Sequence, residues 1–411
     1  MTDQDRLHAL DAVRGFALLL GVVIHASMSF LPGFNVWPLL DHSTSTTLAV
    51  VFFTAHTFRM VLFFTIAGFF AHLLLEKRGM KGFLANRFKR IGIPLVVFWA
   101  LLTPLILGAI VFGILRLHPG QPLPAAPPAP AGFFPFAHLW FLYYLLMLYA
   151  SAAILRGVGG LVRLAGPAMW LADRVTALVV KSGVLVIALG LPAAWVLYQV
   201  PGWALWAGIP TPDSTVIPQL PALAAFGTAF AVGWLLHRQA GLLASIQKLG
   251  FVYLAGAILL TVVCLLRNGI SPATAVAALP GLSKLGFALA YTATGWLWTF
   301  GIIGIAVRYL NQESPARRYL ADASYWIYLT HLPLVFALEG VVGPTGWPWF
   351  VKFPLIMAVT VGVLLLSYHY LVRPTFVGAL LNGRRYPIGR AARRAQAAPA
   401  ASVPVAPPSA A

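Results

Sequence analysis

Apolar residues fill this chain in runs of about twenty, and polar residues break into those runs at a few places only. A helix needs about 20 consecutive apolar residues to cross the hydrocarbon core of a bilayer. Ten runs reach that length: 10–31, 48–75, 91–115, 136–156, 177–199, 219–237, 249–267, 284–307, 320–338 and 351–372. Short charged or Pro/Gly-rich stretches separate them. The pattern predicts an all-α, polytopic transmembrane helical bundle of about ten spans.

Charge then orients the spans. Lys77, Arg78, Lys81, Arg87, Lys89 and Arg90 follow the second run, and Arg156, Arg163, Arg174 and Lys181 follow the fourth. Arg238 and Lys248 come after the sixth, Arg308, Arg317 and Arg318 after the eighth, and Arg373 to Arg394 after the tenth. The alternate loops hold little beyond Arg116, Arg267 and Lys352. The positive-inside rule therefore predicts that both termini are cytoplasmic. The Pro/Ala-rich loop 117–135 and the loop 201–218, with Trp203, Trp206 and Asp213, are then external.

Composition narrows the class. The 411 residues are 60% hydrophobic and 9% charged, with a mean hydropathy of +0.84, which excludes a soluble domain of this size. The formal net charge of +18 would suit nucleic acid, but its spread over alternate loops is a topology signal, so membrane lipid and not nucleic acid is the expected partner. The single cysteine, Cys264, lies within an apolar run and rules out a disulfide framework. The first apolar run is too long for a signal-peptide core, which makes it a retained span. Residues 1–383 form one predicted integral-membrane domain. Residues 384–411, basic and then Ala/Pro-rich, are expected to be a disordered cytoplasmic tail near anionic lipid.

The polar residues inside the spans carry the candidate chemistry, because an ionisable group within a membrane is costly. The first run holds Asp11, Arg14 and His25. Arg14 and His25 are eleven positions apart, three helical turns plus about 20°, so they share a face and lie about 16 Å apart along the axis. Arg14 is also placed to snorkel as an anchor, with Asp11 pairing it one turn away, and His25 alone could be a satisfied neutral imidazole. His56 and Arg59 share a face of the second span, and Arg59 is too deep to snorkel. Thr65 to Gly68 supply small residues for close helix packing. Arg87 and Arg90, at i, i+3, are either a positive-inside loop or a bidentate clamp for a phosphate-bearing donor. His138 and Trp140 open the fourth span as an aromatic belt or as part of a site. His331, with Tyr328, puts a second histidine at the depth of His25 and Arg59. His72, His237 and His369 lie near span ends and carry no predicted role. The histidines lack short ligand spacings such as HExxH, so no metal is expected.

Four motifs together are similar to the acyltransferase-3 family of integral-membrane acyltransferases. They are Arg14 with His25, Arg87-x-x-Arg90, Phe63 to Phe69, and Ser324 to Pro333 in a Ser-Tyr-x-x-Tyr-Leu-x-His-x-Pro pattern. Ala67 stands where the family usually has Ser. His56 to Phe70, Arg90 to Pro94 and His138 to Leu142 most resemble members that succinylate periplasmic glucans. The resemblance covers the full set of spans. It implies a multi-pass protein of the bacterial inner membrane that moves an acyl group, succinyl before acetyl, from cytoplasmic acyl-CoA to a glycan hydroxyl. Acyl-CoA is a co-substrate and no permanently bound cofactor is implied. In that reading Arg14, Arg87 and Arg90 hold the donor and His25 is the general base. Arg59 or His331 stabilises the oxyanion. Asp11, His56, His138, Trp140 and Tyr328 belong to the acceptor region or another part of the site. An acyl-histidine route stays open, as does acetylation of another polysaccharide or lipid-linked glycan. A proton-coupled transporter is the alternative from a different class, since it too needs buried His and Arg.

Overall fold

The computed structural model describes residues 3–125, 128–161 and 165–386. Within them the chain is helical, with one isolated bridge between Phe133 and Thr215 and no strand. The helices are α1 (Asp3–Met28), α2 (Thr46–Arg87), α3 (Ile93–Leu117), α4 (Trp140–Leu161), α5 (Ala165–Ser182) and α6 (Leu191–Gln199). They continue with α7 (Leu220–Arg238), α8 (Leu243–Asn268), α9 (Gly281–Tyr309), α10 (Pro315–Val342), α11 (Trp349–Ser367) and α12 (Phe376–Asn382). The predicted disordered tail lies outside the described residues from Pro387 onward.

Eight helical segments among the described residues are long and apolar enough to cross a membrane. One of them, Thr46–Leu117, is 72 residues long and contains two of the predicted spans. Its first arm is capped by Ser45, whose Oγ accepts from the Leu48 N–H at 3.1 Å. A 42-residue α2 would run about 63 Å, twice the hydrocarbon thickness, if it were straight. It is broken at Gly79, which takes φ 63° and ψ 178°, a conformation that an L side chain resists. A π turn at Phe88–Gly92 then leads into α3.

The span expected at 177–199 is corrected. Its apolar run conceals a break: Gly183 has φ 72°, and the Ser182 hydroxyl accepts from the Leu185 N–H at 3.0 Å. A 3-10 turn over Leu185–Gly190 follows, and α6 adds only nine residues with proline in its first turn. This apolar piece, Leu185–Gln199, is shorter than the other eight segments. Periodicity cannot see a turn whose residues are themselves apolar or small.

The first helix is the centre of the bundle. It packs against α2, α9, α10 and α11, while α2 packs along α7 and α8 along α9. The end of the bundle where Arg14, Arg87, Arg90 and Arg384 gather is called the basic end below, and the opposite one the far end.

Candidate active site

His331 lies on α10, fully buried, four positions after Ile327 and two before Pro333. Its Nδ1 lies 2.7 Å from the Tyr328 carbonyl, which can only accept, so Nδ1 carries the proton. In a neutral ring Nε2 is then an acceptor. It lies 2.7 Å from Nδ1 of His25, which must donate. The lone pair of His25 is therefore left on Nε2. The two rings lie nearly parallel, with centroids 5.0 Å apart. A backbone carbonyl thus sets the tautomer of two histidines in series.

Proline explains the third histidine. Pro333 has no N–H, so the Leu329 carbonyl four residues earlier loses its helical donor. His138 supplies one, donating from Nε2 at 3.0 Å. The chain enters α4 through a 3-10 turn, with Ala137 at φ 45°, and this turns the His138 side chain inward. The Tyr328 hydroxyl donates to the His138 carbonyl at 2.6 Å, which pins that turn to α10. His138 Nδ1 is buried and has no partner.

Arg59 enters from α2 between these rings and α1. A Cβ at Gly21 would fall 2.5 Å from its Nη1, so the guanidinium lies directly against α1 there. Its Nε is buried without a partner, and none of the ion pairs among the described residues includes it. An unpaired arginine at this depth is a ready cationic partner for an anion or a developing oxyanion.

A cavity of about 350 Å³ opens from this layer toward the far end, lined by His25, His56, Arg59, His138, Trp140 and Trp37 among others. A second void of about 30 Å³, on the side of Leu18 and Phe141, is also lined by His25, Arg59 and His138. That is room for about one water. His56 faces the larger cavity, with Nε2 3.0 Å from the Ala207 carbonyl and its ring parallel to Phe52. Asp213 reaches the rim from the loop before α7, and burial raises its carboxyl above the ordinary value.

The far-end rim contains residues that the apolar pattern did not reveal. Trp37 lies parallel to His25 with ring centroids 6.1 Å apart, and its indole N–H donates to Glu339 at 3.1 Å. Lys352 and Asp41 form a buried ion pair at 2.7 Å, and Lys352 also donates to the Gly343 carbonyl at 3.0 Å. The loop that carries Trp37 is fixed to α10 and α11 by these contacts. A lysine opening an apolar run, and an aspartate in a loop after one, were the available signals.

The expected donor residues gather at the basic end, away from His25, His138 and His331. Arg14 pairs with Asp11 at 3.0 Å and lies 5.7 Å from the Phe70 ring centroid. Arg87 donates to the carbonyl of the same Phe70 at 3.3 Å and stacks 4.7 Å from the Tyr149 ring centroid. Asp11 thus pairs with Arg14 one turn away, as expected. Between Arg87 and Arg90 the chain makes a π turn in place of an α-helical one. Arg90 lies against Gly383, with Arg87, Arg78, Arg14 and Asp322 as charged neighbours, and its carbonyl accepts from the Tyr325 hydroxyl at 2.9 Å.

A multi-pass helical protein with this inner layer is matched by a family profile described as an acyltransferase domain, over residues 7–369, and the chain belongs to that acyltransferase-3 family. Its eight apolar segments make it a multi-pass membrane member of that family. It is similar to glucans biosynthesis protein C of Escherichia coli (strain SMS-3-5 / SECEC), 33% identical over 98 residues, which cover 24% of this chain and 25% of the relative. The protein of the same name from Shigella dysenteriae serotype 1 (strain Sd197) is 31% identical over 147 residues, 35% of this chain and 37% of the relative. The matched region thus spans between a quarter and about two fifths of these relatives' length. No solved structure matches the chain.

Proposed function

We propose that this protein is an O-acyltransferase of the bacterial inner membrane, moving a succinyl group from cytoplasmic succinyl-CoA to hydroxyls of a periplasmic glucan. The observation that carries the reading is the directed hydrogen-bond series from His25 through His331 to the Tyr328 carbonyl. It leaves a basic nitrogen beside an unpaired arginine, in a layer that borders the far-end cavity. The basic end faces the cytoplasm in this reading, with both termini. Arg14, Arg87 and Arg90 hold the phosphates of the donor there, since guanidinium groups bind phosphate oxygens in pairs.

In the transfer step His25 Nε2 takes the proton of the acceptor hydroxyl as its oxygen attacks the thioester carbonyl. Arg59 stabilises the negative oxygen that develops. The carbon–sulfur bond then breaks and the proton passes to the departing thiolate, giving an ester and free CoA. His331 and Tyr328 hold His25 in the productive tautomer. His138, Trp140 and His56 line the space left for the sugar. The names of the relatives support the glucan acceptor, and the family supports the acyl transfer.

The test uses the purified chain in liposomes with succinyl-CoA or acetyl-CoA on one side and glucan on the other, read by mass spectrometry of the glucan. Succinylated glucan, lost in His25→Ala, is the expected product. Acetylation alone would overturn the choice of acyl group. No transfer with either donor, together with proton-driven solute accumulation, would overturn the enzyme reading in favour of a transporter.

A further inference from the structure

Two helices of this chain carry the same short pattern, and the fold lays the two copies side by side. It is Gly68-Phe-Phe-Ala-His72 on α2 and Gly233-Trp-Leu-Leu-His237 on α7. A Cβ at Gly68 would run into the backbone of Phe230, and one at Gly233 into the backbone of Thr65. The two glycines therefore let the helix backbones touch, as small residues do at crossings within membranes. Both helices run in the same direction there. One turn beyond each glycine, the histidines are brought face to face.

The imidazoles meet through Nδ1, at 2.8 Å. Glu76, one turn beyond His72, brings its carboxylate to 3.6 Å from His72 Nδ1 and to 3.7 Å from His237 Nδ1. A tetrahedral zinc site with bonds of about 2.0–2.1 Å spaces its ligand atoms by about 3.4 Å. The three observed separations bracket that value. The ligands are also held in place. His72 is buried and meets Trp234 edge to face at 4.8 Å, and His237 meets Phe69 in the same way at 4.9 Å. Only Glu76 is mainly exposed, which leaves an entry path and a position for water as a fourth ligand. The nearest cations do not block the site: Arg238 is engaged by both oxygens of Asp173, at 3.1 and 2.8 Å, and Arg156 is exposed.

We propose that His72, Glu76 and His237 bind a divalent transition-metal cation, zinc by the chemistry of the ligands, at the basic end of α2 and α7. The cation takes the place of the proton now shared between the two Nδ1 atoms, and that proton moves to an Nε2 or to solvent. It joins the first arm of α2 to α7 just before the Gly79 break. The sequence expectation of no metal rested on ligand spacing within one helix, whereas this set is assembled across two.

The test uses the full chain in detergent, with any affinity tag removed and metal stripped by chelator. Zinc is added and free metal is removed by gel filtration. The expected result is about one zinc per chain, with a tetrahedral absorption spectrum when cobalt replaces it. Glu76→Gln, at an exposed position that the fold tolerates, should weaken zinc at least tenfold, and His72→Ala should abolish it. No retained zinc in the parent chain would overturn the proposal. So would unchanged zinc in Glu76→Gln, or zinc lost in His331→Ala but kept in His72→Ala.

Discussion

His25 donates to His331 across 2.7 Å, and the direction of that hydrogen bond is dictated by a main-chain carbonyl one turn back on α10. A serine-protease triad orients its histidine with a carboxylate. Here a second imidazole does so, and no carboxylate is needed to orient the ring.

Removing His25 should cost about 10²–10⁴-fold in turnover, the usual worth of a general base. His331→Ala should lower turnover with little change in KM, because it frees the His25 ring without touching either substrate. His331→Gln, whose carbonyl can still accept, should retain more activity than His331→Ala. Initial rates with both substrates varied would show this, and an unchanged rate in His331→Ala would sink the orienting role.

Arg87→Ala should raise the KM of the acyl donor roughly tenfold or more, the equivalent of one hydrogen bond to a charged group, and leave that of the acceptor unchanged. Arg87→Lys should recover only part of the loss, because an ammonium cannot bind phosphate in the paired geometry. An equal rise in both KM values would point to a folding defect from the lost Arg87 contacts with Phe70 and Tyr149 instead.

Lys352→Met leaves Asp41 buried without its cation and should destabilise the chain by about 3–5 kcal/mol. Adding Asp41→Asn should restore much of that, since the uncompensated charge is then gone. Thermal unfolding in one detergent compares the three chains. A double variant no better than the single one would mean that the pair matters for packing alone.

On α7, Gly233→Ala forces a Cβ into the Thr65 backbone and should cost about 1–3 kcal/mol through overpacking. Gly227→Ala, whose Cβ would meet only Leu148 at 3.8 Å, should be neutral or stabilising, because alanine favours helix over glycine. Equal effects at the two positions would contradict the close crossing of α2 and α7.

Asp213 supplies a pH dependence. Burial raises its carboxyl above the unfolded value, so ionising it opposes folding. That penalty is absent below the unfolded pKa and grows as pH rises through the folded one. Asp213→Asn should therefore raise the melting temperature at neutral pH and leave it unchanged below the ordinary carboxylate range. A gain of equal size at both pH values would exclude ionisation as its cause.

Single-helix properties were legible in the sequence. Nine of the ten expected spans lie within apolar helical segments, because a twenty-residue apolar run has few other solutions. His25 with Arg59 and His331 was legible as well, since depth in a span follows from counting along it. What escaped depends on pairing between distant segments. Nothing local marks Trp37 as a partner of Glu339, or Asp41 as a partner of Lys352, across about 300 residues. Pro333 was visible as a residue, but its freed carbonyl acquires meaning only once His138 lies beside it. The π turn at Phe88–Gly92, just after Arg87, has no clear local signature.

That two separate voids, of about 350 Å³ and about 30 Å³, both border the His25–Arg59–His138 layer also bears on the membrane itself. An enzyme fed from opposite sides of a bilayer would, if built as an open tube, short-circuit the ion gradients that its host lives on. Here His25, Arg59 and His138 stand between the two voids, the smaller has room for about one water, and the arginine there repels cations. The residues that would carry out the transfer are thus also the insulation. Widening that layer with a smaller side chain would be expected to show first as leakage of ions from sealed vesicles.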